Sequence, residues 1–440
     1  MGQAKWRKIN DPYYGNPDAR AMYYNFSEGY PEFYPQELID HLEKDDGETL
    51  SESMVDEIYT HLGSLGRFCQ HKVWSLDHEF YNIEPMRVAY ATIKSCRFGA
   101  FSYTSNGSLT QEKFDFIGIN LGTPAILLSN FYKILSHSQS FVGYGNYKSE
   151  DPEEPYHALS TVAHPDKDFS PPKCLVRKQY AKLLTEIALD FVIMHEAAHL
   201  YKGHSDWVKL DHKFRSSVVE GFEESIIPAN KLAAQFLEVD ADDCALQFVI
   251  ASILSYGEDY RAKIAKVNKS KRAAYKLAFG SVMHSLKTLL YAVYVLHRGV
   301  DFGEWREEIN AESHPRGLLR CRYVFNRFLE ITMWHGIATG DREEFENFCL
   351  DIVLEAERDM ARIEERESEE KRFLDVLKSS KASQHIQQIN KMQNIIEDVT
   401  WQYVRGNLFP STAKMKKKRE SNIAFRGVNP HRNIGRPSSI

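Results

Sequence analysis

His195-Glu196-Ala197-Ala198-His199 holds the residue types that metal-assisted hydrolysis needs, at a spacing that delivers them to one point. On an α-helix, positions i and i+4 are one turn apart, so both imidazoles project from the same face and reach a single divalent ion. Glu196 lies beside them, where a carboxylate takes a proton from an activated water and hands it to a leaving amine. In a chain with 17 histidines the same spacing also arises by accident, so the surrounding elements decide its weight.

Those elements read as helices. Leu184, Ile187, Ala188, Phe191 and Val192 form an apolar face that runs into the two histidines, and Gly203 marks a stop. A second helix is expected from Asn230, an N-cap after Pro228, to Ser255, with Leu232, Phe236, Leu237, Ala241, Ala245, Phe248 and Val249 as its apolar pattern. Within it Glu238 and Asp242 share one face. Carboxylates flanked by so much apolar surface are costly to bury unless each has a partner. A zinc ion and a ligating histidine would supply both partners: Glu238 as third protein ligand, and Asp242 holding the free ring N–H of a ligating His, His195 before His199. The alternative is an exposed acidic face stabilised by the helix dipole.

The rest of the chain supplies the frame. Strands are expected at Val88 to Ile93, Ala100 to Tyr103 and Phe114 to Leu121, the last bounded by Gly122-Thr123-Pro124. Helical periodicity runs from Arg177 to about Cys349. The apolar stretch from Leu277 to Leu296 is broken by His284, Ser285, Lys287 and Thr288, which favours a buried helix over a membrane span. Glu355 to Arg372 is densely charged, and Ile386, Ile389, Met392, Ile396 and Val399 form an amphipathic stripe. The expected fold class is α+β, predominantly α, with a small sheet beside the HExxH helix, plus C-terminal helices. Its divisions are a Tyr-rich arm and first helices at 1–66, a core domain at 67–349, a charged helical region at 350–409 and a basic, disordered tail at 410–440.

Composition narrows the function classes. The chain has 440 residues, 43% hydrophobic, with a net charge of −6, so it can bury a sizeable core and has no overall pull towards nucleic acid or an anionic membrane. Six scattered cysteines without a CxxC pair suggest a reducing compartment. The N-terminus lacks the apolar run of a signal peptide, and Trp6 stands where a myristoylation signal wants Ser or Thr. A soluble, cytoplasmic protein is expected.

His195, Glu196 and His199, followed by Glu238 and Asp242, resemble the gluzincin class of metallopeptidases, whose pattern is HExxH and, on a later helix, ExxxD. Downstream, Ser313-His314-Pro315-Arg316-Gly317-Leu318-Leu319-Arg320 resembles the HPxxxxR element of the CAAX prenyl protease and heat-shock membrane protease family. That likeness implies that His314 donates to the oxyanion of a tetrahedral intermediate and that Arg320 positions it or the substrate backbone. His-Pro also makes a rigid turn or helix start. The element HEAAHLYKGH from His195 to His204, with Phe116-Ile117-Gly118-Ile119-Asn120 followed by Gly122, looks more like Lit-type phage-exclusion peptidases and, more loosely, ImmA/IrrE-type regulators. The resemblance covers Phe114 to Phe325.

Its implications are a zincin-like metallopeptidase core at 67–349 and a zinc-dependent endopeptidase acting on cytosolic proteins, with His195, His199 and Glu238 on zinc, Glu196 as base and Asp242 behind a ligand. In such folds a sheet edge beside the metal takes the substrate as an added strand, and Phe114 to Leu121 is the expected edge. His204 is expected to pack or sit in a loop, since a fourth protein ligand would close the position catalysis needs open. Two alternatives stand beside this one. The same chemistry serves a regulated effector in phage exclusion or stress. In a different class, a structural or nucleic-acid-binding protein would use the basic residues from Lys414 onwards, although nucleic acid is not the expected partner.

Overall fold

The computed structural model describes residues 50–80, 88–104, 115–150, 158–159, 161–210, 229–263, 267–300, 317–338, 340–400 and 403–404. The Tyr-rich arm, His314 and the basic tail lie outside the described residues. The longer elements are α1 (Glu52–Leu62), α2 (Phe68–Phe80), β1 (Val88–Ile93), β2 (Ala100–Thr104), β3 (Asp115–Asn120), α3 (Gly122–Leu135), α4 (Pro165–Asp168), α5 (Leu175–Tyr201), α6 (His204–Lys209), α7 (Ala229–Lys263), α8 (Lys269–Phe279), α9 (Val282–Val300), α10 (Gly317–Trp334), α11 (Arg342–Ile363), α12 (Glu370–Lys378) and α13 (Ser380–Thr400). The described chain is thus mostly helical with one small sheet.

Helix α5 is the axle. Twenty-seven residues long and buried nearly all round, it packs against α2, α3, α7, α8, α9 and β2. A helix apolar on every side belongs in an interior, and a single continuous core runs from Leu50 through α5 to Ile396. Buried ion pairs fasten neighbours to it: Lys72 of α2 reaches Asp190 of α5 at 2.7 Å.

The sheet has the order β1-β3-β2, with β1 parallel and β2 antiparallel to β3. Val88, Tyr90, Ile117 and Ile119 face the main core, while Ala89, Ala91, Ile93 and Phe116 form a second cluster on the opposite face, with Phe101 packed against it. Gly118 makes room there: a Cβ on it would stand 2.0 Å from the Phe101 ring. The expected sheet edge, Phe114 to Leu121, is therefore corrected. Its Phe-Ile-Gly-Ile run is buried on both faces, as a central strand's must be, and β3 has partners on both sides. The edge beside α5 is β2, which among the described residues pairs only with β3 and is partly exposed along most of its length.

Three further boundaries differ from expectation. Helix α7 runs on past Ser255 to Lys263. The apolar stretch Leu277 to Leu296 is not one helix but two, bent by 92°. Gly280 closes α8, and the Ser281 hydroxyl accepts the His284 N–H at 3.1 Å to start α9. No single helix among the described residues is long and apolar enough to cross a membrane. The division expected at 349/350 falls inside α11, whose Cys349, Ile352 and Val353 all belong to the main core, so the C-terminal helices share that core.

Candidate metal centre

Helix α5 ends where its backbone can turn. Lys202 caps it, and Gly203 adopts φ +74°, the left-handed conformation a side chain disfavours. A Cβ on Gly203 would also lie 2.7 Å from Tyr403 Cβ, so glycine is required twice over. The turn starts α6 and swings His204 back over the last turn of α5, bringing its Nδ1 to 3.1 Å from Nδ1 of His199.

Helix α7 packs along α5 and supplies the acids. Nε2 of His195 and Nε2 of His199 are 3.1 Å apart, and the Glu238 carboxylate lies 3.3 Å from the first through Oε2 and 3.5 Å from the second through Oε1. These three residues form a group that can hold a metal ion. Nδ1 of His195 points the other way and lies 2.9 Å from Oδ1 of Asp242. Arg320 of α10 grips Asp242 with two hydrogen bonds, and one α10 turn pair further on Arg327 holds Asp243 at 2.5 Å and 3.1 Å. Arginine's planar fork makes both contacts two-pronged, locking α7 to α10 behind the site.

Burial and charge set the protonation states. Burial disfavours charge on His195, but Asp242 and Glu238 outweigh it and hold the imidazole up at about 10. Burial keeps His199 down at about 3; Glu238 opposes this, while His195 and His204 reinforce it. His199 is therefore neutral, with a lone pair to offer. Burial pushes the Glu196 carboxyl up to about 7, opposed by His195 and reinforced by Glu238. Burial works against ionised Asp242 and Asp240 as well, yet Arg320 for the first and Lys202 for the second hold each carboxyl well below the usual range.

Glu196 is not drawn into the histidine pair. It faces a cavity of about 600 Å³ whose far wall is β2. The Ser102 side chain of β2 lines the same cavity, its Oγ 3.5 Å from that of Ser205. Because Asn120 N–H donates to Gly99 C=O at 2.9 Å, alternation along the antiparallel pair turns the N–H and C=O of Ala100 and Ser102 away from β3, along the outer edge.

His195, His199, Glu238 and Asp242 thus come together as the sequence spacing brings them, and Glu196 and Arg320 line the same cavity. Arg320 bonds Asp242, behind the site. His314 lies outside the described residues. Sequence reasoning passed over Ser102, Asp240, Lys202 and His297. His297 of α9 is buried in the cavity wall, against Phe191, and burial holds it down at about 3. Only the alternation Glu238, Asp240, Asp242 and the close spacing of His199 and His204 hinted at more than one acid working there. No family model, curated protein or solved structure matches this chain.

Proposed function

We propose that this chain is a zinc-dependent endopeptidase of the gluzincin type, with a zincin-like core built on α5, α7 and the small sheet. The observation that carries the reading is the convergence of two imidazoles and a carboxylate: His195 Nε2 and His199 Nε2 stand 3.1 Å apart, and Glu238 approaches the first through Oε2 at 3.3 Å and the second through Oε1 at 3.5 Å. Ligand atoms on a zinc tetrahedron with bonds of about 2.0–2.1 Å stand about 3.3 Å apart, a separation of the same size as these contacts. The donor set of two imidazoles and one carboxylate leaves a fourth position for chemistry.

Zinc bound there supplies a Lewis acid for a peptide carbonyl and lowers the pKa of water. The protein's own groups do the rest. Glu196, which faces the cavity beside the metal site, is placed to take a proton from water and release it to the leaving amine. Ser102 faces the same cavity from the strand edge. Asp242 and Arg320 fix the His195 ring, and the outward N–H and C=O groups of β2 suit an extended peptide laid along the cavity as an added strand. Main-chain pairing makes small demands on substrate sequence, which fits a protein substrate.

Metal analysis of the purified chain should find one zinc per chain, and Glu196→Gln should retain it. Comparing the proteomes of cells that express the native and Glu196→Gln forms should reveal cleavage products confined to the native form. Zinc absent from both forms, or identical products in both, would overturn the reading.

A further inference from the structure

Each histidine of the proposed metal pair has its second ring nitrogen engaged, but by different means. His195 meets a carboxylate directly, whereas His199 meets another histidine. His204 is no fourth ligand, because its Nδ1 addresses Nδ1 of His199, on the side of that ring away from Glu238. Beyond it the chain continues: His204 Nε2 lies 3.1 Å from Oδ2 of Asp240, and Lys202 Nζ donates to Oδ1 of Asp240 at 2.6 Å. His204 is 2% exposed and Asp240 8%, so these contacts form away from bulk water.

We propose that Lys202, Asp240 and His204 form a positioning relay that dictates which nitrogen of His199 carries the proton, leaving Nε2 as a lone pair aimed at the metal. This rests on the metal reading above. Each role is forced by the one before it. The Lys202 ammonium has donors only, so it claims Oδ1 of Asp240 as an acceptor. The other carboxylate oxygen also only accepts, so His204 carries its proton on Nε2. Nδ1 of neutral His204 is then an acceptor, and the proton between the two rings belongs to His199 Nδ1. Nε2 of His199 is left unprotonated. The same order of groups ties a surface-side lysine to a ligand atom through one hydrogen-bonded line, and backing of this kind typically governs metal affinity by roughly 10–100-fold.

Asparagine at position 240 reverses the line without removing it. Lys202 still demands an acceptor, so the amide oxygen must face Lys202 and the NH₂ must face His204. His204 then accepts at Nε2 and donates from Nδ1, and the His199 proton moves to Nε2, against the metal. Removing the lysine as well frees the amide to turn round and restores the original order.

The test is the affinity of the full chain for Zn²⁺, measured by competition with a chromophoric chelator at one pH, alongside the melting temperature of each metal-free form. Asp240→Asn should bind zinc roughly 10–100-fold more weakly than the native chain, and Asp240→Asn/Lys202→Met should recover most of that loss. His204→Phe, which keeps the ring's bulk, should weaken binding to a similar degree and gives a second reading should Asp240→Asn not fold. A merely structural role predicts no recovery in the double variant. Native affinity in both Asp240→Asn and His204→Phe, or a double variant no tighter than Asp240→Asn, would overturn the relay while leaving the metal centre standing. A native chain that takes up no zinc would overturn both.

Discussion

The Arg320 guanidinium grips the Asp242 carboxylate through two hydrogen bonds, Nε to Oδ2 at 2.9 Å and Nη2 to Oδ1 at 2.6 Å. Oδ1 of the same carboxylate lies 2.9 Å from Nδ1 of His195, so a residue of α10 sets the orientation of a ring on α5 through an acid on α7. Lysine keeps the charge but not the fork. Arg320→Lys should therefore fold, with zinc affinity reduced roughly tenfold as the His195 ring loses its fixed backing. Equal affinities in a chelator competition would show that charge alone suffices.

Strand β2 carries the second prediction. Proline at an outward position of an edge strand removes a free N–H while leaving the ladder on the other side intact. Ser102→Pro should lower kcat/KM on the protein substrate identified by the proteome comparison at least tenfold below Ser102→Ala, about the worth of one main-chain hydrogen bond. The alanine variant accounts for the loss of the Ser102 hydroxyl from the cavity wall. Matching values for the two would mean that substrate does not pair along this edge.

Acid sensitivity of the fold has an identifiable source away from the site. His385 of α13 is fully buried against Tyr323 of α10, with the phenol hydroxyl 2.5 Å from its Nδ1, and burial holds it down at about 4. In the unfolded chain the ring titrates near about 6.5. Between these values the unfolded state binds the proton and the folded state does not, so the contribution is whole above the unfolded value and is lost as pH falls through the window. At pH 5 the loss is about 2 kcal/mol. Urea unfolding at pH 7.5 and pH 5 should show His385→Gln losing less stability between the two than the native chain by about that amount; parallel losses would assign the acid sensitivity elsewhere.

How far the sequence could be read depended on the range of the forces involved. The strand at Val88–Ile93 and the helix bearing His195 and His199 were legible because alternation and apolar periodicity are local signals. The grouping of Glu238 with the two histidines was legible for a different reason: a carboxylate amid apolar neighbours must have a partner. Strand order was not, since whether a Phe-Ile-Gly-Ile run sits at the centre or the edge depends on what pairs with it. The 92° break at Gly280 and Ser281 was hidden by the apolar residues on either side. Asp240 was missed because two residues along a helix turn a side chain to a different face, and its partner, His204, arrives only through the backbone turn at Gly203.

That turn has a consequence for how the molecule comes into being. Gly203 is walled in by Tyr403 and the Thr400 carbonyl, at the end of α13. A ribosome that has already released the HExxH helix and the acids of α7 has still to deliver the segment that encloses the Gly203 turn and packs on α6. Synthesis proceeds from the N-terminus, so the turn at Gly203 is enclosed only once α13 has been made and has docked, well after the helix that bears His195 and His199 has left the ribosome.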